Sequence, residues 1–395
     1  MTLHLARPFV LALLALVAAL ILAACGGSPT AEEAPAGGDG APTGDVAATG
    51  DEVDAPVQSN PLDEVYAALE GLEGEEYRAR LVELAEAEAE DGAGFSHYTS
   101  MNLDNSGPVA ESFADAYGIE QELYRATGST IVQRVIQEAD AGYAGSDVVS
   151  LNGTEISMLA DAGVLAPLQV SVAEDLAEVT EFWASNYLNV FIAAWNTDIV
   201  TDPPSSWLEV LTEYEGQLSM ELGDFDWFSS VVQDVLMEQE GMTEDEAIET
   251  VRQAAANAYA VDGHTVQNQL LATGEFGLAS SVYLHNTLQQ IEDGAPVGWD
   301  EPTPVQPLIV RSNGVGINIA TDRPATALLF AEFMVADAQE QIAGFGRTPG
   351  NRTAPGGIPA ELETVNVDIQ SLLEDEEKWR GTYEDIMSNA SISEG

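Results

Sequence analysis

The sequence predicts an α/β protein of two lobes with a cleft between them, and three observations carry that reading. Strand patterns at residues 94–100, 119–125 and 147–151 are separated by single helical patterns, which implies parallel strands joined by right-handed crossovers. Beyond a leader and a linker, about 335 residues remain, more than one compact core readily serves. Pro302, Pro304 and Pro307 then mark residues 300–307 as an extended crossover, followed by a returning strand at residues 315–320.

At the start, His4 and Arg7 precede an apolar run over residues 9–22. The run falls short of a membrane span of ~20 residues and has the length of a signal-peptide core. Leu22-Ala23-Ala24-Cys25 resembles the bacterial lipobox, so residues 1–24 are expected to be a lipoprotein signal peptide and Cys25 the lipidated residue. Two or more acyl chains hold a body stably at a membrane. Cys25 is the only cysteine, which excludes an intramolecular disulfide and any multi-cysteine metal centre. Residues 25–60 contain no aromatic and no basic residue, and are expected to form a disordered acidic linker because they cannot bury enough apolar surface to offset ordering.

The formal charge is −55, from 12 Lys+Arg against 67 Asp+Glu. Such a surface repels nucleic acid and anionic lipid, and excludes both as partners. The acid either concentrates a cationic solute or keeps the chain soluble in a saline habitat, where repulsion is screened. Its spread along the whole chain, linker and terminal helices included, favours habitat.

Residues 61–92 form an N-terminal helical segment, with Val65, Leu69 and Leu72, then Tyr77, Leu81 and Leu84, at helical spacing. Helices follow the three strands: one opening at Pro108 and closing at Gly118, one over residues 130–141, and one begun at Thr154. The loops after the strands share one edge of the sheet and are rich in hydroxyls and amides. Their candidate ligand-binding residues are Tyr98, Thr99, Ser100, Ser129, Asn152 and Thr154. Ordinary helix capping explains any one loop by itself; three together point to a polar site.

In the second half, an apolar run at residues 188–195 ends at Asn196-Thr197-Asp198, and a strand at residues 218–222 leads into Gly223-Asp224-Phe225-Asp226-Trp227 at the head of a long helix. Asp226 reads as that helix's N-cap or as a ligand, and Trp227 as a core anchor or a flat wall for a solute. Thr243 caps an acidic helix. The stretch 259–299 is the centre of the site: a strand, a loop at Gly263-His264-Thr265, a helix that Thr265 caps and Gly274 ends, and a strand at residues 276–283. That strand delivers Tyr283 and His285 to the carboxyl edge of the sheet, where ligands of open α/β sheets bind. His264 is either a hydrogen-bonded structural residue or a ligand. Residues 325–336 form a helix, and Arg347, in the turn Gly346-Arg347-Thr348-Pro349, is the only basic residue expected near the cleft, as an ion-pair partner or a ligand contact. The tail is expected to be helical and acidic.

The ordered series GHT, GEF, VY, GAPVGW and RSNGVGINIA, together with the Asn196 turn, Pro203-Pro204-Ser205-Ser206-Trp207 and the GRTP turn, resembles the family 1 extracellular solute-binding proteins of ABC importers. It is closest to the ferric-iron-binding branch, and the resemblance covers residues 79–352. It implies a type II-like periplasmic-binding-protein fold, with lobe 1 at residues 93–187 and 303–345 and lobe 2 at residues 188–302 and 346–395. It further implies a monomeric, lipid-anchored extracytoplasmic protein that works with an ABC permease, performs no reaction and carries no resident cofactor. The implied cargo is ferric iron, free or with a synergistic anion, in the interlobe cleft. Tyr283 matches the family's cleft tyrosine and Gly263-His264-Thr265 the helix start that receives an anion; the implied metal set is Tyr283, His285 and Glu155. Leu284 and His285 stand where the branch commonly has a second tyrosine, and Leu151-Asn152 where it often has a carboxylate. The alternative cargo is a small organic solute, such as a polyamine or phosphonate, gripped by Tyr98, Trp227 and Tyr283. No GxSxG, HExxH or phosphate-loop motif supports a hydrolase.

Overall fold

The computed structural model describes residues 60–90, 92–388 and 390–392, so the expected leader, Cys25 and nearly all of the linker lie outside the described residues. Among the described residues no helix is long and apolar enough to cross a membrane. The strands are β1 Phe95–Thr99, β2 Gln121–Arg125, β3 Val148–Asn152, β4 Trp183–Asn196, β5 Leu218–Glu221, β6 Tyr259–Val261, β7 Leu278–Tyr283, β8 Val297–Gly298, β9 Leu308–Ile317, β10 Thr348–Pro349, β11 Thr364–Asn366 and β12 Ser391–Ile392.

They form one sheet in the order β12-β6-β5-β7-β4-β9-β3-β1-β2, with β8 and β10 beside β4 and β11 beside β9. Two parallel groups stand at its ends. On one side β1 pairs with β2 and β3, and on the other β5 pairs with β6 and β7, all in parallel. Each group is an αβ unit of the kind the alternating pattern predicts, and together they give the two-lobe fold. Between them β4 and β9 run antiparallel from Trp183 opposite Gly316 to Phe191 opposite Ile309. Both strands are buried along almost their whole length, and their runs of Val, Ile, Phe and Ala suit strands covered on both faces.

Here the structure corrects two expectations. The crossing is made by long strands of the sheet itself, and the proline stretch only leads up to β9, which begins at Leu308 rather than residue 315. The helix expected from Pro108 starts at Leu103. Proline forfeits one backbone bond inside a helix, but the preceding turn is already anchored, since both the N–H and the Oγ of Ser106 donate to the Asn102 carbonyl.

The helix Pro324–Val335 is buried on every side, as a helix apolar all round should be. The helix Gly74–Glu88 packs on it, and the helix Asp63–Leu69 packs on Gly74–Glu88 in turn, with Val65, Leu69, Leu81 and Ala85 in the same buried cluster. Glu88 also satisfies its amino end, accepting from the N–H groups of Ala325 (2.9 Å) and Thr326 (2.8 Å). A carboxylate there is favoured by the helix dipole. The acidic segment thus closes the first lobe's core by packing and by charge.

Candidate functional site

The carboxyl ends of β1, β2, β3 and β7 open onto one cleft of about 730 Å³. Ser100, Arg125, Thr127 and Asn152 line it from one parallel group, and Gly263, His264, Thr265, Tyr283 and His285 from the other, with Asn189 and Arg347 between. This is the edge the alternating pattern points to.

Gly263 makes the turn into the helix His264–Thr273 at φ 93°, a value that only glycine adopts without strain. The chain therefore enters the helix two residues earlier than expected: Gly263, not Thr265, occupies the capping position, and Thr265 lies exposed in the first turn. His264 points inward. Its Nδ1 lies 3.0 Å from the Ser281 carbonyl, which only Nδ1–H can satisfy, and its Nε2 lies 3.2 Å from Asp224 Oδ1. Burial works against the imidazolium, but Asp224 and Glu221 outweigh it and hold the His264 pKa above its ordinary value. Glu221 accepts from the N–H groups of Gly223 (2.6 Å) and Gly263 (3.0 Å). Burial, aided by Asp224, nevertheless lifts its pKa to about 7.

Behind the cleft wall lies a residue that sequence reasoning missed. Arg311, on β9, donates to Asp226 Oδ2 and to the Tyr283 hydroxyl oxygen, and its guanidinium lies 4.9 Å from the centre of the Phe191 ring. Arg347 is therefore not the only cation near the cleft; Arg125 and Arg311 join it. A lone arginine in the apolar strand pattern LIVRSNGVGI was the available signal, because a charge in a covered strand demands a partner. That partner is Asp226, 85 positions away. Asp226 is accordingly no N-cap. It sits in the first turn of the helix Phe225–Ser230, behind Asp224 at the capping position.

The other predicted residues divide. Tyr283 forms part of the wall between His264, 3.9 Å between ring centres, and His285, 5.4 Å away and stacked. Burial pushes the Tyr283 phenol well above its usual range, Arg311 pulling against it. Burial lowers the His285 pKa, with Arg347 adding to the effect. Arg347 donates to Asn105 Oδ1 at 2.8 Å and lies over the Tyr187 ring. Asn152 Oδ1 accepts from Asn189 at 2.9 Å.

Tyr98 turns away from the cleft, donating to Glu138 at 3.1 Å beneath Arg134. Thr99 is buried and caps the Met101 N–H. Thr154 is spent on the Glu155 carboxylate at 3.0 Å, and Glu155 also accepts weakly from Asn152 at 3.4 Å. Ser129 is exposed and bonds to Thr127. Trp227 is fully buried edge-on against Trp207: it anchors the core. The expected long helix after it is a short α-helix continuing as a π-helical stretch, Val231–Met237.

The family model described as bacterial extracellular solute-binding protein matches residues 109–358. No curated protein matches the sequence. Among solved structures, the chain is similar to iron-bound HitA from Pseudomonas aeruginosa, with a TM-score of 0.62, 17% identity, and coverage of 74% of this chain and 99% of that one. It is similar to the periplasmic binding protein AfuA from Actinobacillus pleuropneumoniae with fructose-6-phosphate bound, at 0.63, 18%, 75% and 99%. It is likewise similar to AgtB from A. tumefaciens in complex with agropinic acid, at 0.61, 13%, 75% and 99%. At these identities the likeness is one of fold.

Proposed function

The chain belongs to the bacterial extracellular solute-binding proteins, and from that premise we propose that its cleft captures a small anionic organic solute, such as a sugar phosphate or a carboxylate. Proteins of this family are the extracytoplasmic solute-binding components of ABC importers rather than enzymes. What remains to be assigned is the cargo.

The carrying observation is the placement of the few cations. The chain has 12 Lys+Arg against 67 Asp+Glu, yet Arg125 and Arg347 line the cleft and Arg311 lies beneath its Tyr283 wall. Asp104 and Asp262 line the same space, so the cleft is balanced where the rest of the chain is strongly acidic, and Arg125 and Arg347 can grip an anion through paired N–H donors. The amino end of the helix His264–Thr273 faces the same space and adds N–H donors.

Ferric iron, free or with a synergistic anion, is the second reading, favoured by Tyr283, His264 and His285 in one cleft and by the iron-bound neighbour. A hard cation would have to bind the phenol oxygen that already accepts from Arg311. The guanidinium's charge opposes it there, and that contact ranks the anionic solute first. The polyamine alternative meets the same opposition.

A melting-temperature screen of sugar phosphates and small carboxylates against ferric citrate tests the choice. A ligand at 100 times its Kd adds about 2.7 kcal/mol, and Arg347→Gln and Arg125→Gln should each abolish most of that gain, whereas Tyr98→Phe should keep it. A visible tyrosinate-to-iron band that disappears in Tyr283→Phe would instead establish iron. We further propose that Cys25 carries the lipid anchor, that residues 25–60 tether the body, and that the lobes follow the boundaries drawn from the sequence, β4 and β9 passing between them.

A further inference from the structure

We propose that Glu221 and Asp224, together with His264 of the cleft wall, form a second site that binds a divalent cation of zinc type. Ligand atoms of the three side chains lie within 4.8 Å of one another. Asp224 is 2% exposed, and its Oδ2 has no hydrogen-bond partner among the described residues. An unpaired carboxylate oxygen at that depth carries a large desolvation cost. A metal removes that cost.

His264 is set up for the same task. With Nδ1–H donating to the Ser281 carbonyl, the lone pair of neutral imidazole is on Nε2, directed at Asp224. A ring nitrogen fixed through its other N–H by a carbonyl is the usual outer support of a metal-binding histidine. The separation of 3.2 Å between Nε2 and Asp224 Oδ1 matches the edge of a zinc tetrahedron, roughly 3.3 Å for bonds of about 2.0 Å. Glu221 is held by the Gly223 and Gly263 N–H groups, and each of its oxygens keeps a second acceptor direction.

Charge points the same way. Asp226 is neutralised by Arg311, which leaves Glu221 and Asp224 to share one histidine. A divalent ion would offset both carboxylates at once. One nitrogen with two carboxylate oxygens suits zinc better than calcium, which takes six to eight oxygens. Bound there, the ion would tie the end of β5 and its following loop to the helix start at Gly263, and so fix the cleft wall that His264 forms.

The test is calorimetric titration of the metal-stripped full chain with Zn²⁺ in the absence of solute. The expected result is one tight site per chain above the diffuse uptake of an acidic surface. Asp224→Asn and His264→Gln should each weaken that site at least ~10-fold, whereas Glu275→Gln, which changes an exposed carboxylate elsewhere, should leave it intact. Co²⁺ should give the visible spectrum of a low-coordinate site, lost in Asp224→Asn, with near-ultraviolet dichroism confirming that the variants remain folded. Diffuse uptake alone, or a tight site indifferent to Asp224 and His264, overturns the proposal. The readout involves neither Arg347 nor Arg125, so it stands or fails separately from the anionic-solute reading.

Discussion

Replacing Arg311 with methionine keeps most of the side-chain volume on β9 but strips the cation from Asp226, which is 1% exposed, and the donor from the Tyr283 hydroxyl. Breaking a buried pair from one side leaves a charge with no compensation, at a cost of about 3–5 kcal/mol. The compact unit holds about 340 residues, and an unfolding entropy of ~2.1 cal/mol/K per residue gives roughly 0.7 kcal/mol/K. Arg311→Met should therefore lower the melting temperature by about 4–7 °C. Adding Asp226→Asn removes the stranded charge, so the double variant should recover more than half of the loss. Scanning calorimetry of the wild type, both single variants and the double variant at neutral pH and moderate salt closes the cycle. An Arg311→Met protein that melts within a degree of the wild type, or a double variant no better than the worse single one, would refute the claim that this pair is desolvated and coupled.

Two further outcomes concern stability. Burial holds the His97 pKa down at about 3 against an ordinary 6.5, the ring staying neutral between Ser150 Oγ (2.9 Å) and Gln121 Nε2 (2.7 Å). A depressed histidine pKa means that the unfolded chain binds the proton first, so this contribution to stability is complete above pH 6.5 and is lost as pH falls towards 3. By pH 4.5 the loss is roughly 2.5–3 kcal/mol, about 4 °C, and His97→Gln should show a melting temperature that declines less between pH 7 and 4.5, read by dichroism in chelator-treated buffer. At Gly350 an added Cβ would lie 2.5 Å from the Ser185 carbonyl oxygen and 2.7 Å from its carbon. Backbone cannot swing aside as a side chain can, so Gly350→Ala should cost about 1–3 kcal/mol, seen as an earlier thermal transition; an unchanged transition would mean that β4 yields there.

Local order was written plainly in the chain. Residue alternation and helical spacing mark the parallel units, glycine and proline mark most of their ends, and the loops after β1, β2 and β3 had to share an edge once their strands were parallel. Thus Ser100, Asn152, His264, Tyr283 and His285 could be placed at the cleft from the pattern, and Arg347 from the resemblance of its GRTP turn. Periodicity reports which face of a segment is covered, and that is a local property.

Only the tertiary structure decided what covers it. Asp226 and Trp227 are neighbours in the first turn of one helix, where successive side chains point about 100° apart; packing sends the first to Arg311 and the second to Trp207. Tyr98 sits at the end of a cleft-forming strand, yet strand alternation turns its phenol to Glu138 while Ser100 takes the cleft. The sequence by itself determined that this is a two-lobed α/β chain with a polar edge. Which charges meet behind that edge was settled where β9 meets the helix Phe225–Ser230 and the end of β7, because the cost of an unpaired buried charge is set by surroundings that no short window of residues contains.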